Sequence, residues 1–429
     1  MKQINIGLLG CGQVGTGLVK LLNQQSDFIR RRTGLELVIR HTLVRNTGRK
    51  RAVKAPNLTT DINRILQDDS IDIVVELLGG LEPARAYILN ALRAGKNVVT
   101  ANKAVLAHHG REIFETARMV NCEVYYEAAV CAGIPVIRSI KEGLLANHIN
   151  LLMGILNGTT NYMLTRMRED KLSLADSLKQ AQALGFAEPN PTMDVQGLDT
   201  AHKLAILAAL SFGIKVKPKD IYTEGIMGLD IEDIKNAEEF GYVIKLLAIA
   251  REVEGNKVEL KVHPAMLPKV HPLASVRNEF NALYLHGSAV GDMMFYGKGA
   301  GPLPTASAIL ADIIELGNKP QTPAEPPDIS TYNWGNKKIV PIDQTVSEHY
   351  IRFPISDKAG VIGKIATVLG RNDISIYGAT ASLMPVKKAL GNVRVVTKKV
   401  RESQIQKALV EINRLSIMRG KAVVVRIVT

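Results

Sequence analysis

The chain has 429 residues, 46% of them hydrophobic and 22% charged, with a formal net charge of +13. That length suits two or three domains with buried cores, and the balance argues against disordered, fibrous and collagen-like classes. No apolar run approaches the roughly 20 residues that span a bilayer, and Cys11, Cys122 and Cys131 form no CxxC pair, so neither a membrane span nor a zinc or disulfide framework is indicated. A reduced, cytoplasmic setting is expected. The positive charge is spread along the chain, apart from the cluster Arg45 to Lys54, and aromatic residues make up only 5%. This pattern favours anionic small molecules over nucleic acid as partners.

The first predicted strand, Ile4–Leu9, runs into Gly10-Cys11-Gly12-Gln13-Val14-Gly15, and helical periodicity follows from Val14 to Leu22. G-x-G-x-x-G between a strand and a helix is the dinucleotide fingerprint. Gly10 permits the tight turn, Gly12 lets backbone approach a pyrophosphate, and Gly15 lets helix and strand pack closely. The helix N-terminus then offers free N–H groups and a positive dipole to the phosphates. The next strand, Leu37–Val44, ends at Arg45 instead of an acidic residue. A carboxylate there would bind the ribose 2′-hydroxyl of NAD; an arginine suits the 2′-phosphate of NADP. NADP is therefore the expected cofactor, with NAD the alternative.

Further strands are predicted at Ile71–Leu77, Asn97–Thr100 and Glu123–Tyr126, alternating with helices at Glu82–Ala94 and Arg111–Val120. Such alternation predicts a parallel sheet covered on both faces. Thr100-Ala101-Asn102-Lys103 falls at the carboxyl edge of that sheet, where open α/β sheets bind ligands. From Ile149 the pattern changes to α+β. A strand (Ile149–Leu156) precedes helices at Asn161–Arg168, Leu174–Leu184 and Leu198–Phe212, strands at Lys257–Val262, Ala282–His286 and Ala289–Phe295, and a helix at Thr305–Leu316.

The segment Ala181 to Lys203 is the richest in chemistry. It holds Gly185, Glu188 between two prolines' reach, Asp194, Asp199 and Lys203. Pro189 and Pro191 stiffen the backbone around Glu188. Asp199 and Lys203 stand four apart on a helix otherwise too apolar to be exposed, so the lysine needs a carboxylate or a ligand. Burial would also suit it to proton transfer near neutrality. Five prolines between Lys319 and Pro341 mark a linker, and the last eighty residues read as strand, helix, strand, strand, helix, strand, a ferredoxin-like βαββαβ unit.

The run from Ala181 to Lys203 resembles the homoserine dehydrogenase signature along its whole length. GCGQVG, TANK, EAAVCAGIP (Glu127–Pro135), GILNGTTNYML (Gly154–Leu164) and GKGAGPLPTASAI (Gly297–Ile309) resemble blocks of the same family. The resemblance implies an oxidoreductase that interconverts L-homoserine and L-aspartate 4-semialdehyde on the route to threonine, methionine and isoleucine. It implies a Rossmann-type domain at 1–130 closed by 300–318, a substrate and dimerisation domain at 131–318, a linker at 319–348 and a C-terminal unit at 349–429. Lys203 is the implied acid/base, with Lys103 and Asp199 beside it as further catalytic residues. Glu188, Asp194, Asp199 and Gly185 are the implied substrate contacts. Gly10, Gly12, Gln13, Val14, Gly15, Arg45, Thr100, Lys103, Gly185 and Gly301 make up the expected cofactor set. Glu127, Val130, Ala132 and Ile134 resemble a sodium site built mainly from backbone carbonyls.

Four positions depart from the family pattern. Relatives commonly carry aspartate at Asn190, glycine near Cys131 and Ala132, and often histidine at Lys398. The C-terminal unit resembles an ACT domain, with its ligand turn at Asp357 to Gly360. This implies threonine as a feedback effector, although Leu383 to Leu390 is irregular. A homodimer or homotetramer is expected. Two rival readings compete with this one. An aspartate-semialdehyde dehydrogenase would need a nucleophilic cysteine, and none of the three has a basic sequence neighbour. An inactive amino-acid sensor on this scaffold would have no use for Lys103, Glu188, Asp199 and Lys203 together.

Overall fold

A computed structural model describes residues 1–319, 336–383 and 390–428. In chain order the first elements are β1 (Lys2–Leu9), α1 (Gln13–Thr33), β2 (Leu35–Leu43), β3 (Leu58–Thr59), α2 (Asn63–Leu66), β4 (Ile73–Glu76), α3 (Ala84–Arg93), β5 (Asn97–Thr100), α4 (Lys103–Met119), β6 (Val124–Tyr125) and α5 (Val136–Arg138). Then come β7 (Ile149–Ile155), α6 (Gly158–Glu169), α7 (Leu174–Ala183), α8 (Thr192–Val195), α9 (Leu198–Phe212), β8 (Tyr222–Thr223), α10 (Ile231–Glu239), β9 (Tyr242–Val253), β10 (Lys257–Pro268), β11 (Phe280–Gly287), β12 (Gly291–Lys298) and α11 (Pro302–Asn318). The chain closes with β13 (Lys338–Ile339), β14 (Val346–Ser356), α12 (Val361–Arg371), β15 (Ile376–Leu383), β16 (Leu390–Thr397), β17 (Val400–Arg401), α13 (Glu402–Ile412) and β18 (Val423–Ile427).

These elements form two compact units that are discontinuous in sequence. One holds residues 1–150, 202–218 and 281–336; the other holds 151–201, 219–280 and 337–429. No set of contiguous boundaries captures that division, because α9 and the β11 region leave one unit and enter the other.

The first unit is built on a parallel sheet ordered β3-β2-β1-β4-β5-β6. Alternation along each strand decides which core a side chain joins. Ile4, Ile6, Leu8, Ile73, Val75 and Val99 pack with α1 and α11. Leu9, Val74 and Val98 turn the other way and pack with α3 and α4. The strand order reverses between β1 and β4, so the ligand crevice of this doubly wound sheet is expected at their carboxyl ends.

In the second unit the strands run β7-β9-β10-β18-β14-β16-β15, with short β8 and β13 also pairing β10. The four strands β14, β15, β16 and β18, with α12 and α13, make the anticipated βαββαβ arrangement around their own core. Its fourth strand also pairs in parallel with β10, Ala265 against Arg426 and Met266 against Ile427. No local pattern in either strand announces that continuity.

Other departures are local. Regular structure resumes at β13 and β14, inside the stretch 319–348 expected as a linker; of that linker, residues 320–335 lie outside the described residues, as do residues 384–389 of the irregular stretch. Helix α10 and strand β9 fall where no element was predicted. Strand β9 is buried for most of its twelve residues, on both faces, so its apolar run lacks the alternation that marks a strand.

Candidate active site

The dinucleotide turn has the shape its glycines predict. Gly10 has φ +98, and a Cβ there would meet the Leu77 carbonyl oxygen at 2.8 Å. A Cβ on Gly15 would lie 2.3 Å from the Gly10 carbonyl oxygen, and one on Gly17 would lie 2.6 Å from that of Pro302. Gly12 has nothing within 4 Å, so open space lies above the turn. Helix α1 begins there with no side-chain cap and no acidic residue in its first turn. Open space, a free helix N-terminus and close backbone packing together fit a pyrophosphate. Gln13 is exposed and Val14 partly so at the start of that helix. Gly301, with φ +120, caps α11, whose Pro302 lies against Gly17, so it sits close to the same turn. Arg45 is exposed just beyond β2 and begins the basic loop through Lys50.

The TANK segment links β5 to α4. The Asn102 side-chain oxygen accepts from the Val105 amide at 3.2 Å and caps α4, so Lys103 is held in the first turn of that helix, partly exposed. Beneath it lies Glu76 at the end of β4, fully buried, a residue sequence reasoning missed. It accepts from the Leu78 amide at 2.7 Å, the Thr100 hydroxyl at 2.7 Å and the Asn102 amide group at 3.5 Å. Asn102 also donates to the Gly80 carbonyl at 2.8 Å. Burial pushes the Glu76 carboxyl up, while these neutral donors favour its ionised form.

In the second unit, Asn157 organises the acidic segment. Its side-chain oxygen caps α6 by accepting from the Thr160 amide at 2.9 Å. Its amide group donates to Asp194 at 2.6 Å and to Asp199 at 3.0 Å. The Thr159 hydroxyl donates to the Phe186 carbonyl at 2.6 Å, and the Phe186 ring lies against Tyr162. These bonds tie α6 to the segment carrying Gly185 and Glu188, both exposed. Gln182 donates to the Glu188 and Pro189 carbonyls, so the proline-stiffened turn is also held from α7. Asn190 accepts from the amide and hydroxyl of Thr192, as aspartate also would.

Asp199 and Lys203 lie one turn apart on α9, and both are buried. The structure therefore brings Asp194 and Asp199 together through Asn157, and Thr100, Asn102 and the start of α4 together through Glu76. GILNGTTNYML and the strand Ile71–Leu77 were visible in the sequence, but hydrogen bonds between segments far apart in sequence assign Asn157 and Glu76 their partners.

Glu127, Val130, Ala132 and Ile134 are all buried, and only Gly133 between them is exposed. Cys131 and Ala132 adopt positive φ of 56 and 34, the left-handed region that favours glycine. The Glu127 carboxylate is engaged by the Ile137 and Arg138 amides, each at 2.8 Å. Asn281, beside Cys131, has a buried side-chain oxygen with no partner among the described residues. No group of three or more His, Cys, Asp or Glu side chains among the described residues could hold a metal ion. Any cation here would thus rest on backbone and amide oxygens, which suit a hard ion. No helix among the described residues is long and apolar enough to cross a membrane.

Comparison with known proteins agrees with this geometry. Residues 135–314 match the family model described as homoserine dehydrogenase, and residues 10–127 match its NAD binding domain. A curated homoserine dehydrogenase of Bacillus subtilis is 38% identical over 98% of this chain and 97% of its own length. That of Synechocystis is 41% identical over 99% of this chain and 100% of its own. A crystal structure of a homoserine dehydrogenase from Thiobacillus denitrificans superposes with a TM-score of 0.93 at 40% identity, covering 100% of this chain and 99% of that one. A hyperthermophilic archaeal homoserine dehydrogenase in complex with NADPH gives a TM-score of 0.62 at 26% identity, over 73% of this chain and 97% of that one.

Proposed function

The chain belongs to the homoserine dehydrogenase family, and on that premise we propose how its residues divide the work. The enzyme is an oxidoreductase with a NAD(P)-binding domain, acting between L-homoserine and L-aspartate 4-semialdehyde. The observation that carries the assignment of residues is the Asn157 bridge, which fixes Asp194 and Asp199 beside the start of α6. Glu188, Asp194 and Asp199 bind the substrate, with Glu188 taking the ammonium group and Gly185 leaving room beside it. Lys203 removes the hydroxyl proton in oxidation and returns it in reduction, and Lys103 orients the same hydroxyl. The bound nicotinamide supplies the hydride acceptor or donor.

The cofactor is NADP. Gly10, Gly12, Gln13, Val14 and Gly15 hold its pyrophosphate, Thr100 and Gly301 lie along its path, and Arg45 takes the 2′-phosphate. The NADPH complex of the archaeal relative is consistent with that choice. The carbonyls of Glu127, Val130, Ala132 and Ile134 would hold a sodium ion, which would brace the loop in which Cys131 and Ala132 have positive φ. The C-terminal unit is an ACT domain that binds threonine at Asp357 to Gly360. In support, that turn is exposed and Gly360, with φ 82, opens α12 without a side-chain cap. Pairing of two chains fits the largely exposed β15, which is the outer strand of its sheet among the described residues. We take the domains to be 1–130 with 300–318, 131–318 and 349–429.

The test is the initial rate of NADP+ and NAD+ reduction with L-homoserine, with and without millimolar threonine. Homoserine-dependent reduction is expected, faster with NADP+ and slowed by threonine. Arg45→Ala should raise KM for NADP+ by about tenfold or more and leave KM for NAD+ nearly unchanged. Equal loss with both cofactors would remove the 2′-phosphate assignment. No turnover with either cofactor, from folded protein, would point to a sensor instead.

A further inference from the structure

Glu76 occupies an unusual position for a carboxylate. In register it lies between Leu9 of β1 and Thr100 of β5, at the carboxyl end of the sheet where the strand order reverses. It is fully buried, and no cation pairs with it among the described residues. Everything that touches its oxygens is neutral: the amides of Leu78 and Gly79, the Thr100 hydroxyl and the Asn102 amide group. Burial works against the charge, but the amides can only donate, so the arrangement favours the ionised carboxylate as acceptor. Gly79 and Gly80, with φ 74 and 71, wrap the loop around it, a nest of N–H groups closed on an anion. Leu9, Thr100, Asn102 and this loop contribute no titratable side chain. The nearest one along the chain is Lys103, just beyond Asn102.

A carboxylate accepts at both oxygens where an asparagine or glutamine accepts at only one, but as a loop anchor alone it carries the cost of burying an ion. A cationic group brought to this edge would offset that cost. The residues that Glu76 holds, Thr100 and the start of α4, form the wall of the crevice where the nicotinamide end of a dinucleotide lies in such sheets. The oxidised nicotinamide ring is cationic and the reduced ring is neutral.

We infer that Glu76 is a positioning residue whose buried negative charge makes the crevice discriminate oxidation state, favouring the oxidised cofactor over the reduced one. This rests on the cofactor reading above. The charge acts through low-dielectric protein, where it is poorly screened, and Thr100 and Asn102 fix the wall that the ring meets. In the direction of homoserine oxidation it aids capture of the oxidised cofactor and release of the reduced one.

The experiment is calorimetric titration of the full-length protein, without substrate, with NADP+ and separately with NADPH. Glu76→Gln removes the charge and keeps the size. It should weaken NADP+ on the order of tenfold and leave NADPH within about threefold. Equal weakening of both would show an anchor only, and no change in either would show an idle residue; both outcomes overturn the inference. Glu76→Asp keeps the charge but shortens the reach. It should weaken both nucleotides while preserving their ratio to within about twofold. If E76Q fails to fold by circular dichroism, a folded E76D protein that loses the wild-type ratio overturns the inference, and one that keeps it upholds it. Failure of the unaltered protein to bind either nucleotide would instead refute the cofactor reading.

Discussion

Two lysines illustrate what burial does to a single residue. Lys203 is buried on α9, one turn from Asp199, and is the acid/base of the proposed reaction. Lys203→Ala should lower kcat by on the order of 10²–10⁴ while the protein still folds. Undiminished kcat in steady-state assays would remove it from the chemistry. Lys245 on β9 is buried just as deeply and serves structure. It donates to the Asn161 side-chain oxygen at 2.9 Å and to the Val276 carbonyl. Asn161 in turn donates to the carbonyls of Asn278 and Phe280, so a loop and α6 are held together.

Burial lowers the Lys245 pKa from 10.5 to about 7. Between those values the unfolded chain carries the proton that the folded protein has lost. Stability therefore rises with pH from about 7 to 10.5 on account of this group, and is level outside that window. Lys245→Met should cost roughly 1–3 kcal/mol through the orphaned oxygens and should abolish that part of the pH dependence. Urea unfolding of both proteins at pH 7 and pH 10 checks this. A wild-type gain no larger than the variant's would disprove the assignment.

At the scale of elements, buried charge joins the C-terminal strands and helix to β8 and the segment after it. Glu402, at the start of α13, accepts from His349 of β14 at 3.0 Å and from Arg426 of β18 at 2.7 and 3.0 Å. Arg426 continues to Glu224 at 2.7 Å and to the Tyr222 hydroxyl at 3.0 Å. Arg352 of β14 pairs in the same way with Asp233 of α10 at 2.6 and 2.9 Å. His349 and Arg426 hold the Glu402 carboxyl well below the usual carboxylate range despite its burial. Its contribution is therefore present at neutral pH and is lost as pH falls through and below that range. Arg426→Met leaves Glu402 buried without its arginine, keeping the His349 ring and the neutral Gln406 amide as side-chain partners. This should cost about 3–5 kcal/mol, read from denaturant midpoints. A loss under about 1 kcal/mol would show that water already reaches the pair. None of this was legible in the sequence, where Arg426, Glu402 and His349 are isolated charges in three elements.

For the whole molecule, the net charge of +13 belongs to the same physics as its anionic cofactor. Raising salt from 50 to 500 mM should increase KM for NADP+ severalfold and barely affect KM for zwitterionic homoserine, because screening acts on net charge. Equal effects on both substrates would show that the surface charge does not guide the cofactor.

What the sequence determined by itself was local. The glycine turn, the strand Ile4–Leu9 that enters it and the C-terminal βαββαβ order all follow from backbone freedom and hydrophobic period. These act over a few residues. Tertiary structure decided the rest. Strand β9 was hidden because burial on both faces erases the period of two. The pairing of β18 with β10, the bonds from Asn157 to the two aspartates and those from Thr100 and Asn102 to Glu76 join residues 24 to more than 150 positions apart. Hydrogen bonds and ion pairs at that separation are fixed only once the chain has packed, because no local preference encodes which distant donor a buried carboxylate will meet.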